Sequence, residues 1–193
     1  MPLAEALAAA PMVLPEQTPL HLTAPEREFS ETMDINQCKL SMGFVTPVNY
    51  WHPDYIAMQV FNAVYGSGMT SKLFVNVREK MSLCYSIGSG YYGTKGILVV
   101  SAGIDFDKEQ LTRQEVLRQL QLCRDGGITD QELHSAKEAL LSSLRGTHDS
   151  PGAIEGYYST AALSGLIFSH GDYMRAVEEA TLEQVVACAN SLE

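Results

Sequence analysis

The segment from Gly66 to Gly103 constrains the fold more than any other part of this chain. It begins with a glycine-rich loop, continues as a short amphipathic helix, and then gives two runs of strand-forming residues, Cys84–Tyr92 and Ile97–Ile104. Because only the short turn 93–96 separates these runs, they predict two neighbouring antiparallel strands. The second run is almost wholly apolar, which is typical of a central strand covered on at least one face.

The rest of the chain changes from strand periodicity to helix periodicity. Alternate apolar residues from Cys38 to Phe44 predict a half-buried strand. Helices are predicted to begin near Pro53, Thr70 or Ser71, Asp107, Thr129, Pro151, Asp172 and Thr181. On the helix after Asp107, the residues expected to face the core are Leu111, Val116, Leu117, Leu120 and Cys123. Strands early and helices late predict an α+β domain, with an antiparallel sheet that has helices packed on one face.

Proline density separates an N-terminal segment from this domain. Five of the eight prolines fall at or before Pro25, and proline interrupts both helices and sheet ladders. Residues 1–34 are therefore predicted to be a linker or lead-in arm, and residues 35–193 to be the α+β domain. Because the apolar pattern of the last helix continues to the end of the sequence, we expect this domain to be truncated at its C-terminus, with a further strand beyond Glu193.

Charge and cysteine usage narrow the partners and the location. The formal net charge of −10 argues against nucleic acid or an anionic membrane surface as a partner, because both need a basic footprint. No apolar run approaches the roughly 20 residues that cross a bilayer, and no basic residue precedes the apolar opening segment as in a signal peptide. The four cysteines stand apart without a C-x-x-C pair, which favours reduced thiols and a cytoplasmic location.

Motifs for metal-dependent or nucleophilic catalysis are missing from the sequence. Neither H-E-x-x-H nor H-x-x-E-H occurs, and there is no G-x-S-x-G elbow. His134 and Glu138 stand four residues apart on one predicted helix, but no third zinc ligand accompanies them, so a solvated pair is the simpler interpretation. We predict no catalytic residue, no metal ligand and no cofactor in this chain. A small-molecule enzyme that uses His134, Glu138 or His148 is an alternative.

Arg78 and Tyr85 are the candidate site residues. Arg78 borders the apolar stripe of the short helix, and Tyr85 begins the next strand seven residues later, with Ile87 and Tyr91 expected on the same face. A guanidinium and a phenol in these positions can converge on one peptide carbonyl or carboxylate, which predicts a polypeptide-binding surface. The structural alternative is that Arg78 pairs with Glu79 or another carboxylate while Tyr85 packs against its neighbours.

The sequence around this pair resembles a known family. Residues 71–104 read SKLFVNVREKMSLCYSIGSGYYGTKGILVVSAGI. This segment is similar to the pitrilysin/insulinase-type zinc peptidases, the inverzincins, which include mitochondrial processing peptidase. It is most similar to bacterial members that lack the zinc motif, and the resemblance covers about residues 35–193. The resemblance implies homologous α+β domains in pairs, which close as a chamber over an unfolded peptide.

The same resemblance implies a role for the two candidate residues. In that family the zinc and its H-x-x-E-H motif belong to the N-terminal half, while the C-terminal half supplies an arginine and a tyrosine seven residues apart. Arg78 would hold a peptide carbonyl and Tyr85 would stabilise charge on the scissile carbonyl oxygen. The chain would then be a non-catalytic domain whose partners are a polypeptide substrate and a zinc-bearing homologous domain or subunit. The alternative is a structural docking subunit with no peptidase role.

Overall fold

The structure, a computed structural model, describes residues 27–164 and 169–193. Of the arm predicted over residues 1–34, residues 1–26 lie outside the described part, and residues 27–34 form neither helix nor strand. The strands are β1 (Cys38–Val45), β2 (Cys84–Tyr92) and β3 (Ile97–Ile104). The helices are α1 (Tyr55–Tyr65), α2 (Leu73–Lys80), α3 (Glu109–Arg124), α4 (Asp130–Thr147), α5 (Pro151–Ser164), α6 (His170–Glu179) and α7 (Leu182–Asn190).

The three strands form an antiparallel sheet in the order β1-β3-β2. β3 is central, as its apolar run predicts. Its alternate residues point into the core: Leu98 lies opposite Phe44 of β1, and both side chains are buried. On the other face of the sheet, Ser41 and Ser101 lie opposite each other and are both exposed. The α+β architecture expected from the sequence is therefore confirmed.

Helix α1 is the centre of the helical layer. Nearly every residue of α1 is buried, and Val60 and Phe61 are fully inaccessible. It packs against α4, α6 and α7. The hydroxyl of Tyr65 donates a hydrogen bond of 2.9 Å to the backbone oxygen of Val116, which ties the end of α1 to α3. A buried phenol needs such a partner, because an unpaired hydroxyl in the core is destabilising.

Helix α3 differs in part from the expected apolar face. Val116, Leu120 and Cys123 are buried as expected, but Leu111 and Leu117 are 48% and 44% exposed. Polar residues take the remaining buried positions of α3: Thr112, Glu115 and Gln119. The predicted face was wrong at two leucines because polar residues take part of the buried stripe, where Gln119 donates to Glu115 at 2.7 Å and accepts from Asn76 at 3.0 Å.

The last described residue lies beside β1. The backbone N–H of Val45 donates to the carbonyl of Glu193 at 3.0 Å, and the N–H of Glu193 donates back to Val45 at 2.8 Å. A further strand beyond Glu193 stays a prediction. Within residues 27–164 and 169–193, no helix combines the length and the apolar character needed to cross a bilayer.

Candidate functional site

Helix α2 holds Arg78 and is wound with wide π-type turns. The wide turn shows at its end, where the N–H of Met81 reaches back five residues to the carbonyl of Asn76. At its start, Ser71 Oγ accepts a hydrogen bond of 3.4 Å from the N–H of Phe74, while the residue at the N-cap position is Lys72 and not the Thr70 or Ser71 expected from the sequence. π-type segments are rare and are frequently found at functional sites.

Polar contacts on two sides hold α2 in place. Lys72 precedes the helix and is only 6% exposed, and its ammonium lies 2.7 Å from Glu132 Oε1 at the start of α4. Asn76 Nδ2 donates to Gln119 Oε1 of α3 at 3.0 Å. Because a buried ammonium without its carboxylate is strongly destabilising, the Lys72–Glu132 pair fixes where α2 begins. The position of Arg78 is thus set by α3 and α4 as well as by its own helix.

The connection from α2 to β2 is irregular. Ser82 adopts a left-handed conformation with φ of 52°, which is costly for a residue with a side chain. The pairing of β2 with β3 then slips between Cys84 and Ser86, leaving Tyr85 at a β-bulge. A bulge redirects side chains. Tyr85 is 60% exposed, whereas Ile87 packs against the core, so the expectation that they share a face was wrong.

Arg78 is partly exposed and contacts Tyr85 through the backbone. Its Nε donates to the carbonyl oxygen of Tyr85 at 2.9 Å, and its Nη1 donates to Glu79 Oε1 at 2.7 Å. The guanidinium carbon lies 4.7 Å from the centre of the Phe74 ring, a cation–π geometry. Nη2 has no hydrogen-bond partner in the part of the chain that the structure describes. The expected pairing of Arg78 with Glu79 is present, but it leaves one edge of the guanidinium unused.

The phenol of Tyr85 is bound to an acidic residue just after β3. Its hydroxyl donates to Asp105 Oδ1 at 2.5 Å, and Asp105 Oδ2 lies 2.9 Å from the ammonium of Lys108. Lys108 also donates to the carbonyl of Ser82 at 3.2 Å. The hydrogen bond to Asp105 raises the pKa of Tyr85. The same bond, followed by that from Lys108, lowers the pKa of Asp105. At neutral pH the carboxyl is therefore charged and the phenol neutral.

These residues line one cleft of about 370 Å³. Its lining consists of Arg78, Glu79, Ser82, Cys84, Tyr85, Asp105 and Lys108. Two cations and two carboxylates balance one another, so the cleft offers directed hydrogen bonds more than net charge. Burial raises the pKa of the Cys84 thiol in spite of Arg78 and Lys108, so this thiol is protonated at neutral pH. A protonated thiol is a poor nucleophile, and the arrangement fits binding better than covalent chemistry.

Sequence reasoning identified Arg78 and Tyr85 but missed Asp105 and Lys108. A signal for Asp105 was present, because it directly follows the predicted β3. In an antiparallel pair the end of one strand lies beside the start of the other, which places Asp105 next to Tyr85. The contact of Lys108 with Ser82 had no such signal, because it depends on the conformation of the connection after α2.

The other candidate residues do not come together as a site. His134 is exposed on α4, and Glu138 lies 4.0 Å from Arg145. His148 Nε2 lies 2.9 Å from Nδ1 of the buried His170. Among residues 27–164 and 169–193, no group of three or more histidine, cysteine, aspartate or glutamate residues could hold a metal ion.

A second cavity, of about 400 Å³, lies beside α5. Four tyrosines contribute to its lining: Tyr50, Tyr55, Tyr157 and Tyr173. Burial raises the pKa of Tyr55 and of Tyr173, so their hydroxyls stay neutral. The described lining contains no charged side chain, and we regard the smaller cleft as the stronger candidate because it combines charged donors and acceptors at the surface.

Comparison with known proteins relates this chain to one group of peptidases. A family model described as the peptidase M16 inactive domain matches residues 6–140. The chain is similar to a Bacillus subtilis (strain 168) protein named probable inactive metalloprotease YmfF, with 28% identity over 167 residues, 86% of this chain and 39% of that protein. It is also 31% identical over 113 residues to a protein of the same organism named uncharacterized zinc protease YmxG, covering 58% of this chain and 27% of that protein.

A solved structure has a similar fold. The chain is similar to the crystal structure of a conserved protein from Enterococcus faecalis V583, with a TM-score of 0.76 and 28% identity. The similarity covers 82% of this chain and 38% of that one. The chain thus spans less than two fifths of the length of each of these relatives.

Proposed function

Because the chain belongs to the peptidase M16 family through its inactive domain, we propose that it is a non-catalytic domain that binds extended polypeptide and forms one wall of a closed chamber. The observation that supports this proposal is the single cleft in which Arg78 and Tyr85 both lie at the surface. Their spacing agrees with the pair implied by the resemblance to pitrilysin/insulinase-type peptidases. The corner between α2 and β2, which carries Arg78 and Tyr85, is held by contacts with α3, α4 and the end of β3. The two side chains are therefore preorganised for a ligand.

Arg78 is the anchor for the peptide in this proposal. Its unused Nη2 donor faces no competing partner among the described residues, so a peptide carbonyl can accept from it without displacing Glu79. Stacking on Phe74 keeps the guanidinium plane fixed and lowers the entropy that binding would cost. Tyr85 supplies the second contact, next to Arg78 along the cleft.

Zinc chemistry is assigned in this proposal to a different domain. The described residues offer no ligand set for a metal ion, and the similar YmxG is named a zinc protease. We infer that a homologous domain or subunit holds the zinc and that this chain contributes only binding contacts. A chamber of paired domains would enclose the peptide between the two.

The proposal is tested by peptide binding in the full-length protein that contains this chain. An extended fluorescent peptide is titrated and its anisotropy followed, with Arg78→Ala and Tyr85→Phe as test variants. Arg78→Ala should lower the affinity about tenfold or more, the range for a charge-assisted hydrogen bond. Tyr85→Phe should lower it about three- to tenfold, the range for a neutral one.

Matched controls use the same substitutions away from the cleft. Arg145→Ala removes an arginine that is 56% exposed, and Tyr92→Phe changes a tyrosine of the same strand that is 59% exposed. Both controls should bind the peptide as the unmodified protein does. Equal affinities for all four variants would contradict the proposal.

A structural docking role is the second candidate, and one observation favours it. Both side chains already have internal partners, since Arg78 pairs with Glu79 and Tyr85 with Asp105. In that case Arg78→Ala and Tyr85→Phe would leave peptide binding unchanged and would affect only the stability of this corner.

A further inference from the structure

We propose that Asp105 sets the hydrogen-bonding direction of Tyr85, so that the phenol oxygen accepts an N–H of the bound peptide instead of donating to its carbonyl. The inference rests on the proposed function, because it requires a peptide in this cleft. It differs from the role implied by the family resemblance, in which Tyr85 donates to a carbonyl oxygen.

The single proton of the Tyr85 phenol determines which partner this hydroxyl can donate to. A tyrosine hydroxyl has one proton to donate and lone pairs that accept. In this structure the proton is directed at Asp105 Oδ1, 2.5 Å away. A hydrogen bond to a carboxylate is about twice as strong as one to a neutral acceptor. A neutral peptide carbonyl therefore competes poorly with Asp105 for this proton.

Lys108 keeps Asp105 in place. Its ammonium lies 2.9 Å from Asp105 Oδ2 and donates to the Ser82 carbonyl at 3.2 Å, so it links the carboxylate to the backbone of the connection after α2. With one oxygen bound to Lys108, the other faces Tyr85. The raised pKa of Tyr85 and the lowered pKa of Asp105 agree with a proton that stays on the phenol.

The free lone pairs of Tyr85 are accessible to a ligand. The residue is 60% exposed and lies at a bulge, outside the regular pairing of β2 with β3. Arg78 alongside it can only donate, through its unused Nη2. The cleft thus presents one donor and one acceptor. This combination matches an extended peptide, which offers both a carbonyl and an N–H, and it disfavours proline at the position that meets Tyr85.

The test replaces peptide amides one at a time by esters, which removes each N–H in turn. Each peptide is titrated into the full-length protein and into its Tyr85→Phe and Asp105→Ala variants. At one position the ester should weaken binding to the unmodified protein about three- to tenfold, the range for one neutral hydrogen bond. That loss should disappear in Tyr85→Phe and shrink in Asp105→Ala, where the phenol is free to turn its proton outward.

Two controls accompany the ester series. Asp107→Ala removes a neighbouring exposed acid and should leave the ester effect unchanged. A ¹³C NMR titration of the tyrosine ring carbons should show the pKa of Tyr85 falling towards its ordinary value in Asp105→Ala. An unchanged pKa would overturn the inference, because it would mean that the Asp105 contact does not form in solution.

The outcomes separate this inference from the function on which it rests. If Arg78→Ala and Tyr85→Phe weaken binding but no ester effect depends on Tyr85, the direction proposed here is wrong and the peptide-binding function stands. If neither substitution weakens binding, the proposed function fails and the inference fails with it.

Discussion

Helices α4 and α7 begin with regular capping boxes, whereas the corner between α2 and β2 combines π-type turns, a left-handed serine and a β-bulge. In each box a threonine hydroxyl accepts from the backbone three residues later, and the side chain there accepts from the threonine N–H. These contacts are local in sequence. The corner instead depends on residues from α3, α4 and the end of β3.

The difference shows where this fold tolerates strain. A left-handed non-glycine residue costs about 1–3 kcal/mol and persists only when its surroundings hold it. At Ser82 the N–H donates to the carbonyl of Arg78 at 3.1 Å, and the carbonyl accepts from the ammonium of Lys108 at 3.2 Å. The irregular region is also the region with the candidate cleft.

The largest loss of stability is expected when the Lys72–Glu132 pair at the start of α2 is broken. Lys72→Met removes the buried ammonium and leaves Glu132 without its ion-pair partner, bound only to Thr129. We expect the free energy of unfolding to fall by about 2–3 kcal/mol, below the figure for a fully buried pair because Glu132 is partly exposed. Chemical denaturation measures the change. The exposed pair of Arg175 and Asp172 is the control: if Arg175→Ala cost as much as Lys72→Met, burial would not be the cause.

An intermediate loss of stability is expected when the capping box of α7 is disrupted. Thr181→Ala removes the hydroxyl that caps α7 and should lower the free energy of unfolding by about 1 kcal/mol. Thr94→Ala, in the exposed turn between β2 and β3, should change it little. Thermal unfolding of both variants makes the comparison, and a Thr181→Ala variant as stable as Thr94→Ala would show that the box contributes nothing.

Replacing serine by glycine at two positions should change the free energy of unfolding by smaller amounts and in opposite directions. Ser82→Gly relieves the left-handed strain and should raise the free energy of unfolding by about 0.5 kcal/mol. Ser41→Gly, in the regular strand β1, should lower it by a similar amount, because glycine weakens a strand. Urea unfolding gives both values, and equal signs would remove the distinction between the two regions.

The smallest effect concerns the pH dependence of the polar stripe on α3. Hydrogen bonds from Arg118 lower the pKa of Glu115 against the opposing effect of burial. A lowered folded-state pKa means that the unfolded chain binds the proton more readily. Glu115 therefore stabilises the fold fully above the ordinary glutamate pKa of about 4.5, and this contribution is lost as the pH falls through the folded-state pKa.

The measurement is the free energy of unfolding between neutral pH and pH of about 3. In Glu115→Gln the loss of stability on the acid side should be shallower than in the unmodified protein. Glu178→Gln, an exposed residue of α6, should leave the slope as it was. A slope unaffected by Glu115→Gln would rule out a contribution from this carboxyl.

The regular parts of the fold were predictable because their signals are local. The bounds of β2 and β3 follow from the runs Cys84–Tyr92 and Ile97–Ile104 and the turn between them. The capping residues Thr129 and Thr181 were identified from their own sequence neighbourhoods. Alternation and capping depend on the nearest residues, which a single sequence displays directly.

The irregular parts were not predictable because they depend on contacts between residues far apart in the sequence. The bulge at Tyr85 is a property of the pairing between β2 and β3, and strict alternation placed this residue on the wrong face. The buried polar stripe on α3 depends on the contact between Gln119 and Asn76 of α2. The sequence of α3 alone does not show this contact, so leucines were expected at the buried positions. For the candidate site, the sequence indicated both members of the pair but not the carboxylate that determines what the phenol can do.

The hydrogen bond from Arg78 Nε to the Tyr85 carbonyl closes a ring that includes the whole connection between them. Adding or deleting a residue in 79–84 would break this ring, and the guanidinium would lose its fixed distance from the strand. The seven-residue spacing is therefore a structural requirement of the corner itself, and it would resist length variation even in a chain that had lost every ligand.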